Sequence, residues 1–247
     1  MQAETPTEQA CIGQAYVLEI YERLLGHFGP QHWWPGETPF EVVVGAILTQ
    51  SAAWRNVEKA ISNLKAEGYL SLDGILGLPE ARLTALIRPS GYYNAKARKL
   101  KAFCSFLAEA YQGSLEAMCA RPLDEVRAEL LNVYGIGRET ADSILLYACG
   151  LPTFVVDAYT RRIFERLGLI GPRRGYEEIR RFFMDRLPAS VPLFNEYHAL
   201  LVALGKDICL LRKPRCESCP LNSICDNYAS SASAAASAAP HQAIAGV

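Results

Sequence analysis

From about residue 15 to residue 205, apolar residues recur three and four positions apart, and nowhere do apolar and polar residues alternate for more than a few positions. This helical period runs through Ala15–Phe28, Phe40–Gln50, Ala53–Glu67, Ala95–Tyr111 and Arg127–Val133. It resumes over Glu139–Gly150, Ala158–Leu167, Tyr176–Leu187 and Leu193–Gly205. The breaks hold glycine and proline, in GPQHWWPGETP, RPSGYYN, GIG, GLP and GPRRG, which are poor helix formers and good turn formers. The expected fold class is all-α, built of roughly ten short helices.

A chain of 247 residues that is 50% hydrophobic can bury a sizeable core, as one large domain or two small ones. Its 25 Lys and Arg are balanced by 26 Asp and Glu, which excludes a protein that holds nucleic acid by bulk charge alone. No apolar run is long enough to span a membrane. Met1 to Ala10 carries Glu4 and Glu8 and no basic stretch, so no secretory signal is expected and the expected location is cytoplasmic. Tyr228 to Val247 has no charged residue and little that could pack, and a disordered tail is expected there.

The eight cysteines are unevenly placed. Cys11, Cys104, Cys119 and Cys149 are scattered and expected in the core, whereas Cys209-x6-Cys216-x2-Cys219-x5-Cys225 forms one compact pattern. In a reducing compartment such a cluster binds metal more often than it forms disulfides. Four close thiolates can hold a [4Fe–4S] cube. Zinc is the alternative, but zinc sites usually present two short Cys-x2-Cys pairs, and this stretch has one such pair and no histidine.

Two further features carry chemistry. Tyr134-Gly135-Ile136-Gly137-Arg138-Glu139-Thr140-Ala141 lies between two helical segments, and its paired glycines permit a tight turn whose N–H groups can face a phosphate. Asp157 stands where a short apolar run meets an amphipathic helix, the place of a helix N-cap. From Val155 to Arg215 there are twelve Lys and Arg against seven Asp and Glu, so a local basic excess hides within a neutral chain.

The hairpin, the aspartate some twenty residues on and the four-cysteine pattern together resemble the endonuclease III (HhH-GPD) superfamily of DNA glycosylases, over roughly residues 15 to 227. The resemblance implies a bilobed fold. A six-helix barrel would span 39–151, a four-helix iron–sulfur domain would combine 1–38 with 152–227, and 228–247 would be the tail. DNA would lie across the cleft between the lobes. It also implies that Asp157 is catalytic, that Gly135, Gly137 and Arg138 grip the DNA backbone, and that Arg212, Lys213 and Arg215 reach phosphates. Cys209, Cys216, Cys219 and Cys225 would bind the cluster.

One departure bears on the chemistry. Where endonuclease III carries a catalytic lysine, this chain has Glu139, and a carboxylate cannot form the Schiff base of a β-lyase. In sequence the next lysine is Lys206. Trp33-Trp34-Pro35, Gly45-Ala46-Ile47-Leu48-Thr49-Gln50, the stretch Arg88 to Ala97, GIGRETADSILLYACG and VVDAY resemble the 3-methyladenine DNA glycosylase III branch. That branch has Glu at the lysine position, and its best-studied member lacks the cysteines, so this chain would be a cluster-bearing variant. The likeness implies a monofunctional glycosylase for an alkylated purine such as 3-methyladenine, with Trp33, Trp34 and Trp54 lining the base pocket. Gln50 would fill the gap left by the flipped nucleotide. The expected partner is double-stranded DNA with a damaged base, bound by a monomer without membrane attachment. The alternatives are an endonuclease III-like enzyme for oxidised pyrimidines, a glycosylase for mismatched thymine or uracil, and a non-catalytic iron–sulfur DNA-binding protein.

Overall fold

The computed structural model describes residues 13–33 and 36–230, so Cys11, Trp34 and most of the expected tail lie outside the described residues. Twelve α-helices are found among the described residues, and no strand, as the sequence period requires. None is long and apolar enough to cross a membrane. The chain divides into two compact units: residues up to 31 with 156–187 and those from 197 onward, and residues 32–155 with 188–196.

The second unit is built around α2 (Pro39–Leu48). Proline at its first position and Thr38, whose hydroxyl accepts from the Glu41 N–H at 3.2 Å, start the helix. Every residue from Glu41 to Leu48 is buried, so this helix is covered on all sides. Against it pack α3 (Trp54–Ala66), α6 (Tyr93–Tyr111) and α9 (Arg138–Ser143), which runs on into a π turn over Ile144–Ala148; α4 (Leu72–Gly77), α5 (Glu80–Ile87) and α7 (Leu115–Cys119) pack on α6, and α8 (Leu123–Asn132) packs on α9. Val43, Ile47, Leu64, Leu83, Leu100, Phe103, Leu130 and Leu145 belong to their common core. The short helices α4, α5 and α7 are additions to the sequence expectation. They are five to eight residues long, too short to display a full amphipathic repeat.

Lys96 on α6 is only 1% exposed, and its ammonium donates to the carbonyls of Leu48 at 2.8 Å and Ser90 at 2.6 Å. It thereby satisfies the open C-terminal end of α2. Burial, with the nearby Lys99 charge, lowers its pKa to about 8. Cys119 and Cys149, expected as core residues, form a disulfide instead. They are 30 positions apart, but the fold brings their Cα atoms within 4.8 Å. Cys104 is buried as expected.

The first unit packs α1 (Gln14–Phe28), α10 (Ala158–Arg166), α11 (Tyr176–Met184) and the later part of α12 (Val191–Asp207) around aromatic rings. Phe164 and Phe183 meet edge to face at 4.6 Å, and Tyr197 joins Phe183 at 5.8 Å. The Tyr197 hydroxyl donates to the Val17 carbonyl at 2.9 Å, tying α12 to α1. Two 3-10 turns, Cys216–Ser218 and Asn222–Ile224, shape the cysteine segment, and residues 226–230 are helical, past position 228 where the tail is expected to begin. At Gly205 on α12, an added Cβ would lie 2.4–2.8 Å from the Tyr159 side chain of α10. Gly205→Ala is therefore expected to destabilise the protein by about 1–3 kcal/mol, measured by urea unfolding, by forcing these two helices apart.

Candidate active site and nucleic-acid interface

The hairpin connects α8 and α9. Gly135 has φ +79°, a left-handed conformation that glycine enters without cost, and Ile136 anchors the turn by burying its side chain in the core. The Ile136 N–H donates to the Val133 carbonyl at 3.1 Å, closing the turn. Gly137 caps α9 with extended backbone and no side-chain cap, while Arg138 and Glu139 are exposed in the first turn. Tyr134 stands 55% exposed at the loop, with the Arg98 guanidinium 5.9 Å from its ring centre. A turn with exposed backbone, an arginine and an aromatic ring can engage a phosphodiester strand without reading its sequence.

The two helices of the hairpin are locked by a pair that no sequence motif marks. Arg127 on α8 donates to both carboxylate oxygens of Asp142 on α9, at 2.8 and 3.0 Å. Asp142 is fully buried, and the Thr153 hydroxyl donates to it at 2.9 Å. The fork geometry and a third hydrogen bond offset much of the cost of burying the charges.

Gln50 follows α2 in the turn that ends with Ser51 at φ 53°. The structure places its amide on the hairpin: Nε2 donates to the Gly135 carbonyl at 3.0 Å and the Thr140 hydroxyl at 2.9 Å, and Oε1 accepts from Lys99 at 2.5 Å. A lysine therefore does stand at the hairpin in space, although none is near it in sequence. Trp54 opens α3, packs half-buried against the core and donates its indole N–H to Glu58 at 2.7 Å. Trp33 is half-buried in the irregular segment after α1.

In the other unit, Asp157 is the N-cap of α10. One carboxylate oxygen accepts from the Thr160 N–H at 2.7 Å. The other lies 3.6 Å from Nε2 of His198 on α12, a partner the sequence did not reveal because it is 41 positions away. Burial pushes the Asp157 carboxyl up, yet the His198 imidazole and the Thr160 N–H outweigh it and leave the group below its ordinary range. An ionised carboxylate half-shielded from solvent can stabilise a developing cation or orient a water.

The same helix reaches the cysteines. Arg162 donates to the carbonyls of Cys209 and Gly205, both at 2.9 Å, and Arg166 donates to Cys209 Sγ at 3.1 Å and the Leu210 carbonyl at 2.8 Å. Cys209, Cys216, Cys219 and Cys225 line one pocket, and none is in a disulfide. Among the described residues, no three His, Cys, Asp or Glu side chains gather tightly enough for a single metal ion. The lining of that pocket includes four thiols and no imidazole, a donor set of the kind that holds an iron–sulfur cluster. Arg212, Lys213 and Arg215 are exposed on this loop.

Two outcomes follow from these charges. Arg127→Leu strands a buried carboxylate and is expected to cost about 3–5 kcal/mol in denaturant unfolding, while Arg127→Leu with Asp142→Leu recovers most of the loss. Asp157 titrates lower in the folded chain than in the unfolded one, so its contribution is complete above its ordinary value of 3.8 and fades as pH falls through the folded value. Asp157→Asn is expected to lessen the acid-side fall of stability in a pH series of melts.

Residues 44–189 match the family of HhH-GPD superfamily base excision DNA repair proteins. A Methanocaldococcus jannaschii protein assigned as a DNA repair glycosylase is 49% identical over 211 residues, 85% of this chain and 95% of the relative. Endonuclease III of Escherichia coli is 29% identical over 76% of this chain and 84% of its own length. Among solved structures, a trapped endonuclease III–DNA covalent intermediate superposes with a TM-score of 0.77 at 25% identity, covering 90% of this chain and 99% of the other. The H. pylori 3-methyladenine DNA glycosylase bound to 1,N6-ethenoadenine gives 0.68 at 29% identity, covering 79% and 98%. The chain belongs to the HhH-GPD superfamily of base excision DNA repair proteins, as an endonuclease III-like DNA glycosylase.

Proposed function

We propose that this glycosylase is monofunctional and acts on an alkylated purine such as 3-methyladenine in double-stranded DNA. The observation that carries the reading is the exposed carboxylate of Glu139 in the first turn of α9, where the lyase members of the family need an amine. Lys99, the lysine that comes to the hairpin from α6, has its ammonium on Gln50.

The reaction needs little acid catalysis, because an N-alkylated purine leaves as a neutral base from a sugar that takes up positive charge. As the C1′–N bond breaks, Asp157, held ionised by His198 and Thr160, stabilises that oxocarbenium-like sugar, orients the water whose oxygen bonds to C1′ and takes up the water's proton. The product is an abasic site in an intact strand. Trp33, Trp34 and Trp54 stack on the flipped cationic base, an attraction worth about 0.5–2 kcal/mol. The Gly135–Gly137 turn with Arg138, and Arg212, Lys213 and Arg215 on the cysteine loop, hold the phosphates. Cys209, Cys216, Cys219 and Cys225 would hold a [4Fe–4S] cluster, which would knit the loop into a fixed shape. The enzyme works as a monomer.

The test is a panel of duplexes carrying 3-methyladenine, 7-methylguanine, thymine glycol, uracil or a G·T mismatch, with released base and strand cleavage scored separately. Release of the alkylated purines without cleavage is expected, falling at least 100-fold in Asp157→Asn. Release confined to thymine glycol, or unaffected by Asp157→Asn, contradicts the reading. Purified without air, the protein is expected to carry about four irons and four sulfides. Cys216→Ala is expected to lose them and to become more protease-sensitive between Cys209 and Cys225.

A further inference from the structure

Three hydrogen bonds converge on Gln50 and use both of its amide hydrogens inside the protein. They go to the Gly135 carbonyl, to the Thr140 hydroxyl and, at the carbonyl end of the amide, to Lys99. The Lys99 stem also runs directly beneath the hairpin turn: a Cβ on Gly135 would lie 2.3, 2.6 and 2.7 Å from its Cγ, Cδ and Cε. The left-handed φ favours glycine at 135, and its missing side chain lets the lysine stem pack close below the turn. The turn rests on the stem of Lys99 and is tied to its ammonium through Gln50. Among the described residues no carboxylate pairs with Lys99, so its half-buried charge finds its partner in the Gln50 carbonyl oxygen.

We propose that Lys99 is a positioning residue for DNA binding: through Gln50 it fixes the Gly135–Gly137 turn in the shape that receives the DNA backbone. In this arrangement Gln50 serves the turn from beneath it. The inference rests on the reading of the hairpin as a DNA-backbone clamp.

The test is equilibrium binding of a duplex carrying a tetrahydrofuran abasic analogue, at several salt concentrations, with melting measured in parallel. Lys99→Met keeps the packing stem and removes the ammonium. It is expected to bind about tenfold more weakly with little change in melting. Gln50→Leu is expected to do the same, and the double variant to bind no more weakly than the weaker single one. The dependence of log Kd on log salt is expected to be unchanged. Wild-type affinity in Lys99→Met, or multiplying losses in the double variant, overturns the proposal. A salt slope reduced by about 0.9 also overturns it, since that would make the ammonium itself a phosphate ligand. If Lys99→Met melts too early to assay, Gln50→Met cuts the same link at its other end, and wild-type affinity there overturns the proposal equally. Base release plays no part in this measurement, so a failure of the glycosylase reading and a failure of the brace show up in different assays.

Discussion

The pair of Arg127 and the buried Asp142 is the interaction on which the hairpin depends. Two bonds of 2.8 and 3.0 Å between the helices flanking the hairpin set their separation, and the turn between them inherits that geometry. Thr153 adds a third bond to the same carboxylate, four residues before Asp157. One buried charge thus fixes both the hairpin and the start of the segment that leads to the aspartate. A buried pair of this kind adds little net stability but makes alternative packings costly, because any rearrangement leaves a charge uncompensated. Lys96 plays a comparable part at the end of α2, where its ammonium joins the Leu48 carbonyl that the helix leaves open to the Ser90 carbonyl of the turn after α5.

In the other unit α10 performs the equivalent task. Its N-terminus holds Asp157 through the Thr160 N–H, and one and two turns later Arg162 and Arg166 reach the backbone and sulfur of the cysteine loop. A single rigid helix carries the carboxylate at one end and braces the thiols from its side. The pocket around those thiols is built from the same loop that exposes Arg212, Lys213 and Arg215, so whatever fixes the loop also fixes these cations. The lowered Asp157 carboxyl follows from the same economy. Burial alone would raise it, and an imidazole and a backbone N–H supply the opposing field.

What the sequence made legible is local. The period of the longer helices, the turn at Gly135-Ile136-Gly137, the N-cap position of Asp157 and the spacing of the four cysteines each depend on residues close together in the chain, and each could be read there. The helices α4, α5 and α7 escaped because they are too short to repeat. The Cys119–Cys149 disulfide, the Arg127–Asp142 lock, the Asp157–His198 contact and the grip of Lys99 on Gln50 are separated by 30, 15, 41 and 49 positions. Each partner taken singly resembles an ordinary core or surface residue, and only the fold brings the pairs together. Gln50 is the clearest case. Its amide bonds to Gly135 and Thr140 join residues 85 and 90 positions away, which the chain alone does not reveal.

In the proposed reaction base release runs through Asp157 and water, with no amine attacking the sugar. Borohydride reduction during turnover on alkylated duplexes, and on duplexes with a preformed abasic site, tests this most directly. The expected result is base release with no protein covalently attached to DNA. A stable adduct that maps by peptide mass to Lys99, or to any other lysine, would contradict a water-borne release.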